Sequence, residues 1–246
     1  MSSRWLILPD IHDKIRQANR IISREPHDRV LLLGDYFDSF RTGVTDAADT
    51  AAQGRDWLNT PGVTCLLGNH DVSYGWGRQN PALLCPGYDL AKWIAINSIV
   101  RLPDWRQLKL HTWLEGADRP WLVTHAGLHP SWVRHATPEQ YREVIDGLCA
   151  AAWDQLNRGE AHPLLSRGVS GSGGQHFDGL DWMYWSELVP IPGLNQLTGH
   201  TQAATVRRKD TPSSRNICLD TNLRYYAIFE NGGLDVRCYD DLMVGK

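Results

Sequence analysis

The chain has 246 residues, of which 42% are apolar and 22% charged, and a formal net charge of −3. That length is enough to bury a substantial core. The mild acidity argues against a general nucleic-acid-binding surface, and no apolar run approaches the ~20 residues of a membrane-spanning helix. The five cysteines, Cys65, Cys85, Cys149, Cys218 and Cys238, are widely spaced and form no CxxC pair. They read as reduced thiols packed as small hydrophobes. The opening "MSSRWLILPD" meets polar residues too soon for a signal peptide. The expectation is a cytoplasmic protein.

In chain order, "RWLILPDIHD" is an apolar run that stops on polar residues, and residues 13–24 then place Ile15, Ala18 and Ile22 on one helical face. "DRVLLLGDYFD" repeats the run and is followed by an Ala-rich helix over residues 45–59. "VTCLLGNHD" is the third run, and residues 89–100 form the next helix. "RPWLVTHAGLH" precedes a helix over residues 137–157, opened by "TPEQ" with Pro138 at its first position. "LNQLTGHTQ" and "RNICLDTN" are further runs, and "YYAIFENGGLDVRCYD" is a hairpin turning at Asn231-Gly232-Gly233. Runs this short, rich in Leu, Val and Ile, behave as strands buried on both faces. Strands alternating with helices predict one α/β layered domain over residues 1–246. Residues 130–185 break the rhythm with a long helix and then the Gly/Ser-rich "LLSRGVSGSGGQHFDG". They are expected to form a cap inserted over the mouth of the site, a surface linker being the alternative.

Ligands in open α/β sheets bind beyond the carboxyl ends of strands. The polar residues at those ends are Asp10, His12, Asp35, Asp38, Asn69, His70, His125 and His200. Carboxylates, imidazoles and one amide oxygen suit divalent ions such as Mn, Fe, Zn or Co. The set is too large for one ion, and two ions sharing a carboxylate would use it. Asp10 and Asp35 end apolar strands, where an unpaired carboxylate is costly. Gly68, in "LLGNHD", is expected to let the chain turn sharply. Asp71 is expected to cap the following segment or orient a neighbouring group. There is no G-x-S-x-G, and the cysteines sit in apolar runs such as "TCLL" and "ICLD", as inert thiols do, so no nucleophilic side chain is called for.

The blocks D-x-H, G-D-x-x-D, G-N-H-D, H and G-H occur in order from Asp10 to His200, as "PDIHD", "LLGDYFD", "LLGNHD", "VTHAGL" and "LTGHT". This order resembles the calcineurin-like metallophosphoesterases. The texture is nearest the branch of protein Ser/Thr phosphatases, diadenosine tetraphosphatases and bacterial polynucleotide 3′-phosphatases. The resemblance implies a four-layer αββα sandwich. It also implies two divalent metal ions, manganese first, with Fe, Zn, Co and Ni as alternatives. Asp10 and His12 would hold one ion, Asp35 would bridge both, and Asn69, His125 and His200 would complete the second. His70 would donate the proton to the leaving oxygen, oriented by Asp38. The implied reaction is hydrolysis of a phosphomonoester by direct attack of a hydroxide bridging the two metals. A phosphodiesterase, a nucleotide or nucleic-acid-end phosphatase, and a non-catalytic metal-binding module are the alternatives. The implied partner is a phosphorylated small molecule, nucleotide or phosphoprotein. A membrane is not expected, and extended nucleic acid stands as an alternative that is not favoured.

The chain also departs from that pattern. Protein phosphatases carry a phosphate-gripping Arg directly after the second Asp of G-D-x-x-D, and here that position is Ser39. Arg41 and Arg167 are the candidate replacements, since an Arg fork suits phosphate. The last block lacks the second His of G-H-x-H and has Gln202 instead, which disfavours the nuclease branch. Asp220, in "NICLDT", is expected to orient a metal-site histidine or to cap the strand end. Trp182, Tyr184 and Trp185 either line the substrate pocket or pack the insertion on the core. His176 lies in the glycine-rich stretch and is a further candidate for substrate contact.

Overall fold

Alternation within the strands decides the layers. The computed structural model describes residues 3–167 and 179–244. In β1 (Trp5–Leu8), Leu6 and Leu8 join a core with Ala18 and Ile21, while Ile7 between them joins another. In β2 (Arg29–Leu32), Val30 and Leu32 go with the first core and Leu31 with the second. Successive side chains of a strand face opposite ways, so each sheet is covered on both faces.

The first sheet has the order β10-β9-β1-β2-β3, with β3 (Val63–Cys65), β9 (Tyr225–Glu230) and β10 (Gly233–Cys238). β1, β2 and β3 run parallel, and β9 returns antiparallel beside β1. The second sheet has the order β4-β5-β6-β8-β7. Its members are β4 (His111–Leu114), β5 (Trp121–Thr124), β6 (Asn195–Thr198), β7 (Arg207–Arg208) and β8 (Asn216–Cys218). β5, β6 and β8 run parallel, and β4 and β7 are antiparallel edges. The core between the sheets takes Ile7, Leu31 and Ala227 from one and Trp121, Leu197 and Ile217 from the other.

Helices cover the outer faces. α1 (Ile15–Arg24) buries Ala18 and Ile21, and α2 (Val44–Leu58) buries Ala47, Ala51 and Trp57. α3 (Asn69–Trp76) and α4 (Leu90–Ile99) follow β3, and α4 packs on α2. α5 (Leu102–Trp105) is one turn long, and α7 (Tyr239–Val244) follows β10. α6 (Tyr141–Asn157) starts one 3-10 turn later than "TPEQ" suggests and buries Ile145, Cys149, Ala152 and Leu156. The result is a mixed α/β, four-layer arrangement. The hairpin turns on Asn231 (φ 51°) and Gly232 (φ 76°), two left-handed residues as a tight β-turn requires.

The expected 130–185 insertion divides in space. The buried face of α6 belongs to the helix-side core, so this helix is part of an outer layer. Trp182 and Tyr184 approach the site through His200, with ring centroids 6.0 and 5.8 Å from it. Most of the glycine-rich stretch, His176 included, lies outside the described residues.

Candidate metal centre and active site

Six parallel strands release their chains on one edge of the sandwich. Asp10 and His12 follow β1, Asp35 and Asp38 follow β2, and Asn69 and His70 open α3 after β3. His125 follows β5, His200 follows β6 and Asp220 follows β8. The two sheets therefore contribute opposite halves of one cluster.

Asp35 is its centre. Its Oδ2 lies 3.3 Å from His125 Nε2 and 3.7 Å from His12 Nε2. His125 Nε2 also lies 3.2 Å from Asn69 Oδ1. Two ligand-capable groups share Asp35, one with Asp10 and His12 and the other with His125 and His200; within each, the ligand atoms lie within 4.8 Å of one another. The opposite ring nitrogen of each histidine is tied to a backbone carbonyl. His12 Nδ1 meets Asp38 O at 2.8 Å, His125 Nδ1 meets Leu33 O at 2.8 Å, and His200 Nε2 meets Trp182 O at 3.1 Å. Metal-binding histidines are oriented in this way, one nitrogen donating outward and the other facing the ion. The donor set thus fits divalent metals.

The electrostatics point the same way. Asp10, Asp35 and Asp220 are all at most 2% exposed. Burial, Asp220 and Asp35 together push the Asp10 carboxyl well above the usual range, although His125 opposes them. Burial also acts to raise Asp35, but His125, His70 and His12 outweigh it and hold that carboxyl far below the usual range. Burial lowers the His125 imidazole, but Asp35 and Asp10 overcome this and bring it up to about 10. His200, buried beside that positive charge, is pushed down to about 3. Packed carboxylates of this kind call for a cation.

Four residues of this site also have unusual backbone. His12 (φ 42°), Asp35 (φ 48°), Asp38 (φ 71°) and His200 (φ 66°) occupy the left-handed region, which L side chains seldom adopt. Asp71 holds Asp35 there. Its carboxylate accepts the N–H groups of Asp35 (2.8 Å), Tyr36 (3.1 Å) and Gly68 (2.9 Å). It therefore caps α3 and braces the loop that carries Asp35 at once, while burial and the Asp35 charge push its own pKa up to about 7.

The reason expected for Gly68 needs correction. Its backbone is extended (φ −97°, ψ 171°), so no left-handed turn requires glycine. What requires it is clearance: a Cβ there would lie 2.2 Å from Asp35 Oδ1 and 2.5 Å from Asp35 N. Gly199 gives Asp10 Oδ1 the same clearance, its added Cβ lying 2.0 Å away.

His70 lines a cavity of about 500 Å³ in front of this cluster. Its Nδ1 lies 3.1 Å from Asp38 Oδ2 and 3.4 Å from Cys85 Sγ. Burial would lower its pKa, but the Asp35 charge and bonds to Asp38 and Cys85 raise it well above the ordinary imidazole value. Lys14, Phe40, Arg41 and Asn222 line the cavity too. Arg167 is exposed and is not part of this lining. Asp220 does line it, and its Oδ1 accepts the Asn222 N–H at 3.1 Å, a turn-capping bond. Trp185 packs with Ala126, Met183, Leu188 and Cys218.

Sequence reasoning missed two neighbours of the pair formed by Asp38 and His70. Cys85 was grouped with the inert thiols, but it touches His70. Lys92, 6% exposed on α4, donates to Asp38 Oδ1 at 2.9 Å and Ser39 O at 2.8 Å. The available signal was a lysine four residues before Ile96, on the buried face of a helix.

Comparison with known proteins places the family and the fold. The sequence profile of the calcineurin-like phosphoesterases matches residues 3–202. A cold-active protein-tyrosine phosphatase from a psychrophilic Shewanella species superposes with a TM-score of 0.58 at 19% identity, over 97% of this chain and 78% of that one. A metallophosphoesterase from Sphaerobacter thermophilus aligns at 16% identity and a TM-score of 0.47, over 96% of this chain and 87% of that one. At 19% identity the likeness to the Shewanella enzyme is one of fold. No curated protein matches the chain. The profile spans most of the sequence, and its family consists of metal-dependent hydrolases of phosphoric esters; the chain belongs to the calcineurin-like phosphoesterase family.

Proposed function

We propose that the chain hydrolyses a phosphomonoester at a centre of two divalent ions, manganese being the first to supply. Asp10, His12 and Asp35 would hold one ion, and Asp35, Asn69, His125 and His200 the other. Bound there, the ions supply charge neutralisation of the phosphoryl group and a water activated near neutral pH. The remaining work falls to the chain. Lys14 and Arg41, on the cavity wall, attract the anionic phosphoryl group. His70, with Nδ1 tied to Asp38, gives its proton to the leaving oxygen. Phe40, 80% exposed at the rim, offers an apolar surface to the rest of the substrate. Arg167 keeps a place in this reading only if substrate reaches beyond the cavity.

The observation that carries the reading is the His70 and Asp38 pair, placed on the same cavity as the ligand cluster. A monoester is preferred over a diester because Lys14 and Arg41 add positive charge for a dianion. Gln202, in place of a second histidine, points away from the nuclease pattern. A nucleotide, a nucleic-acid end or a phosphoprotein is the competing physiological substrate. The five unpaired thiols support a reducing compartment such as the cytoplasm.

The test is turnover of p-nitrophenyl phosphate beside bis-p-nitrophenyl phosphate, on chelator-stripped protein with Mn, Ni, Co, Zn or Mg restored. Metal-restored monoester turnover supports the reading. Preference for the diester overturns the monoester assignment.

A further inference from the structure

Lys92 stands behind the proton donor. It is buried behind the residues that line the cavity, and a buried ammonium is costly without partners. Its two partners both belong to the turn after β2. One is Asp38 Oδ1, and the other is the carbonyl of Ser39. Asp38 turns its other oxygen, Oδ2, to His70 Nδ1. A carboxylate held by one oxygen still rotates about its last side-chain bond. Held by both, its plane is fixed, and with it the direction of the imidazole it orients. The Ser39 contact adds a second restraint, because Asp38 itself is left-handed and the chain bends sharply there. Lys92 thus clamps both the side chain and the bend from outside the cavity.

We propose that Lys92 is a positioning residue for proton donation: it locks Asp38 so that His70 meets the leaving oxygen of the substrate. The proposal rests on the reading of His70 as the acid.

A leaving-group series separates this role from simple structural support. A proton matters little when 2,4-dinitrophenolate departs and greatly when phenolate or an alkoxide departs. The experiment is steady-state turnover of 2,4-dinitrophenyl, p-nitrophenyl, phenyl and propyl phosphate by manganese-loaded wild type, Lys92→Met and His70→Ala, with bound metal measured in each. Lys92→Met is expected to lower kcat on phenyl and propyl phosphate by about 10²-fold. Turnover of the dinitrophenyl ester, KM and metal content should stay near wild type. Equal losses across the series, or a loss confined to KM or metal content, would overturn the proposal.

Lys92→Gln keeps the question answerable if the methionine variant does not fold, since an amide still donates to Asp38 without charge. A smaller loss with the same leaving-group dependence is expected, and a uniform loss overturns. If His70→Ala shows no leaving-group dependence while wild type turns over normally, the acid assignment fails and takes the role of Lys92 with it. Absence of turnover of all four esters by metal-loaded wild type would instead bring down the phosphomonoesterase reading.

Discussion

The Asp71 carboxylate accepts the backbone N–H of Asp35 at 2.8 Å, so the residue shared by both ligand groups is held by a side chain that belongs to neither. Two more N–H groups, from Tyr36 and Gly68, end on the same carboxylate. Asp71→Asn offers one oxygen where two were used and turns an NH2 group toward N–H donors. A loss of about 2–3 kcal/mol is expected, the scale of a hydrogen bond to a charged group. Metal content should fall with it. Denaturant unfolding and metal analysis of the purified variant check both, and unchanged metal binding would detach Asp71 from the geometry of Asp35.

Gly68→Ala tests clearance against flexibility. The backbone dihedrals suit alanine, so a turn-based account expects no defect. The position of the added Cβ, 2.2 Å from Asp35 Oδ1, expects Asp35 to be displaced. The variant should fold, bind metal at least tenfold more weakly by order of magnitude, and lose turnover in proportion. Metal titration followed by calorimetry is the measurement.

The two arginines separate cleanly. Arg41 lines the cavity and Arg167 does not. Arg41→Ala should raise KM for an anionic monoester by about tenfold, the value of one exposed charge-assisted contact. Arg167→Ala should leave KM and kcat for a small ester unchanged. A reversed pattern would move phosphate binding to the segment that carries Arg167.

Metal removal should make stability depend on alkaline pH. In the metal-free chain His125 titrates at about 10, against about 6.5 when unfolded. A raised histidine contributes stability that is complete below the unfolded value and is lost as pH climbs through the folded one. His70 is raised as well and acts in the same direction. The melting temperature of chelator-stripped protein should therefore fall from about pH 7 to about pH 10. Metal binding requires a neutral imidazole, so the loaded protein should lack that slope. A flat profile for the stripped protein would mean that His125 does not carry the charge.

Most of the sandwich was legible because its strands are short apolar runs with abrupt polar ends, and burial on both faces leaves few other ways to satisfy them. β4 and β7 were not legible. β4, "HTWL", is an edge strand only partly buried, and β7 is two arginines long. α3 escaped notice because it begins on the motif itself, so Asn69 and His70 read as loop chemistry rather than as the first turn of a helix. The ligand candidates stood at strand ends, where spacing marks them. Lys92 and Cys85 come from elements that pack on the motif from behind, and no local spacing connects them to Asp38 or His70. For Asp71 the sequence allowed a cap or the orientation of a neighbour, and which neighbour it holds depends on how closely the loop after β2 approaches.

The order of the first sheet bears on how the chain is made. β1 lies inside that sheet, paired with β2 on one side and on the other with β9, where Trp5 meets Phe229. As the polypeptide leaves the ribosome, β1, β2 and β3 emerge before β9, so one edge of β1 lacks its partner until Tyr225–Glu230 has been synthesised. Open apolar strand edges invite pairing with other chains, and such distant contacts form slowly. The strands that lead to Asp10, Asp35 and Asn69 thus await the β9–β10 hairpin, which is the piece that covers the open edge of β1.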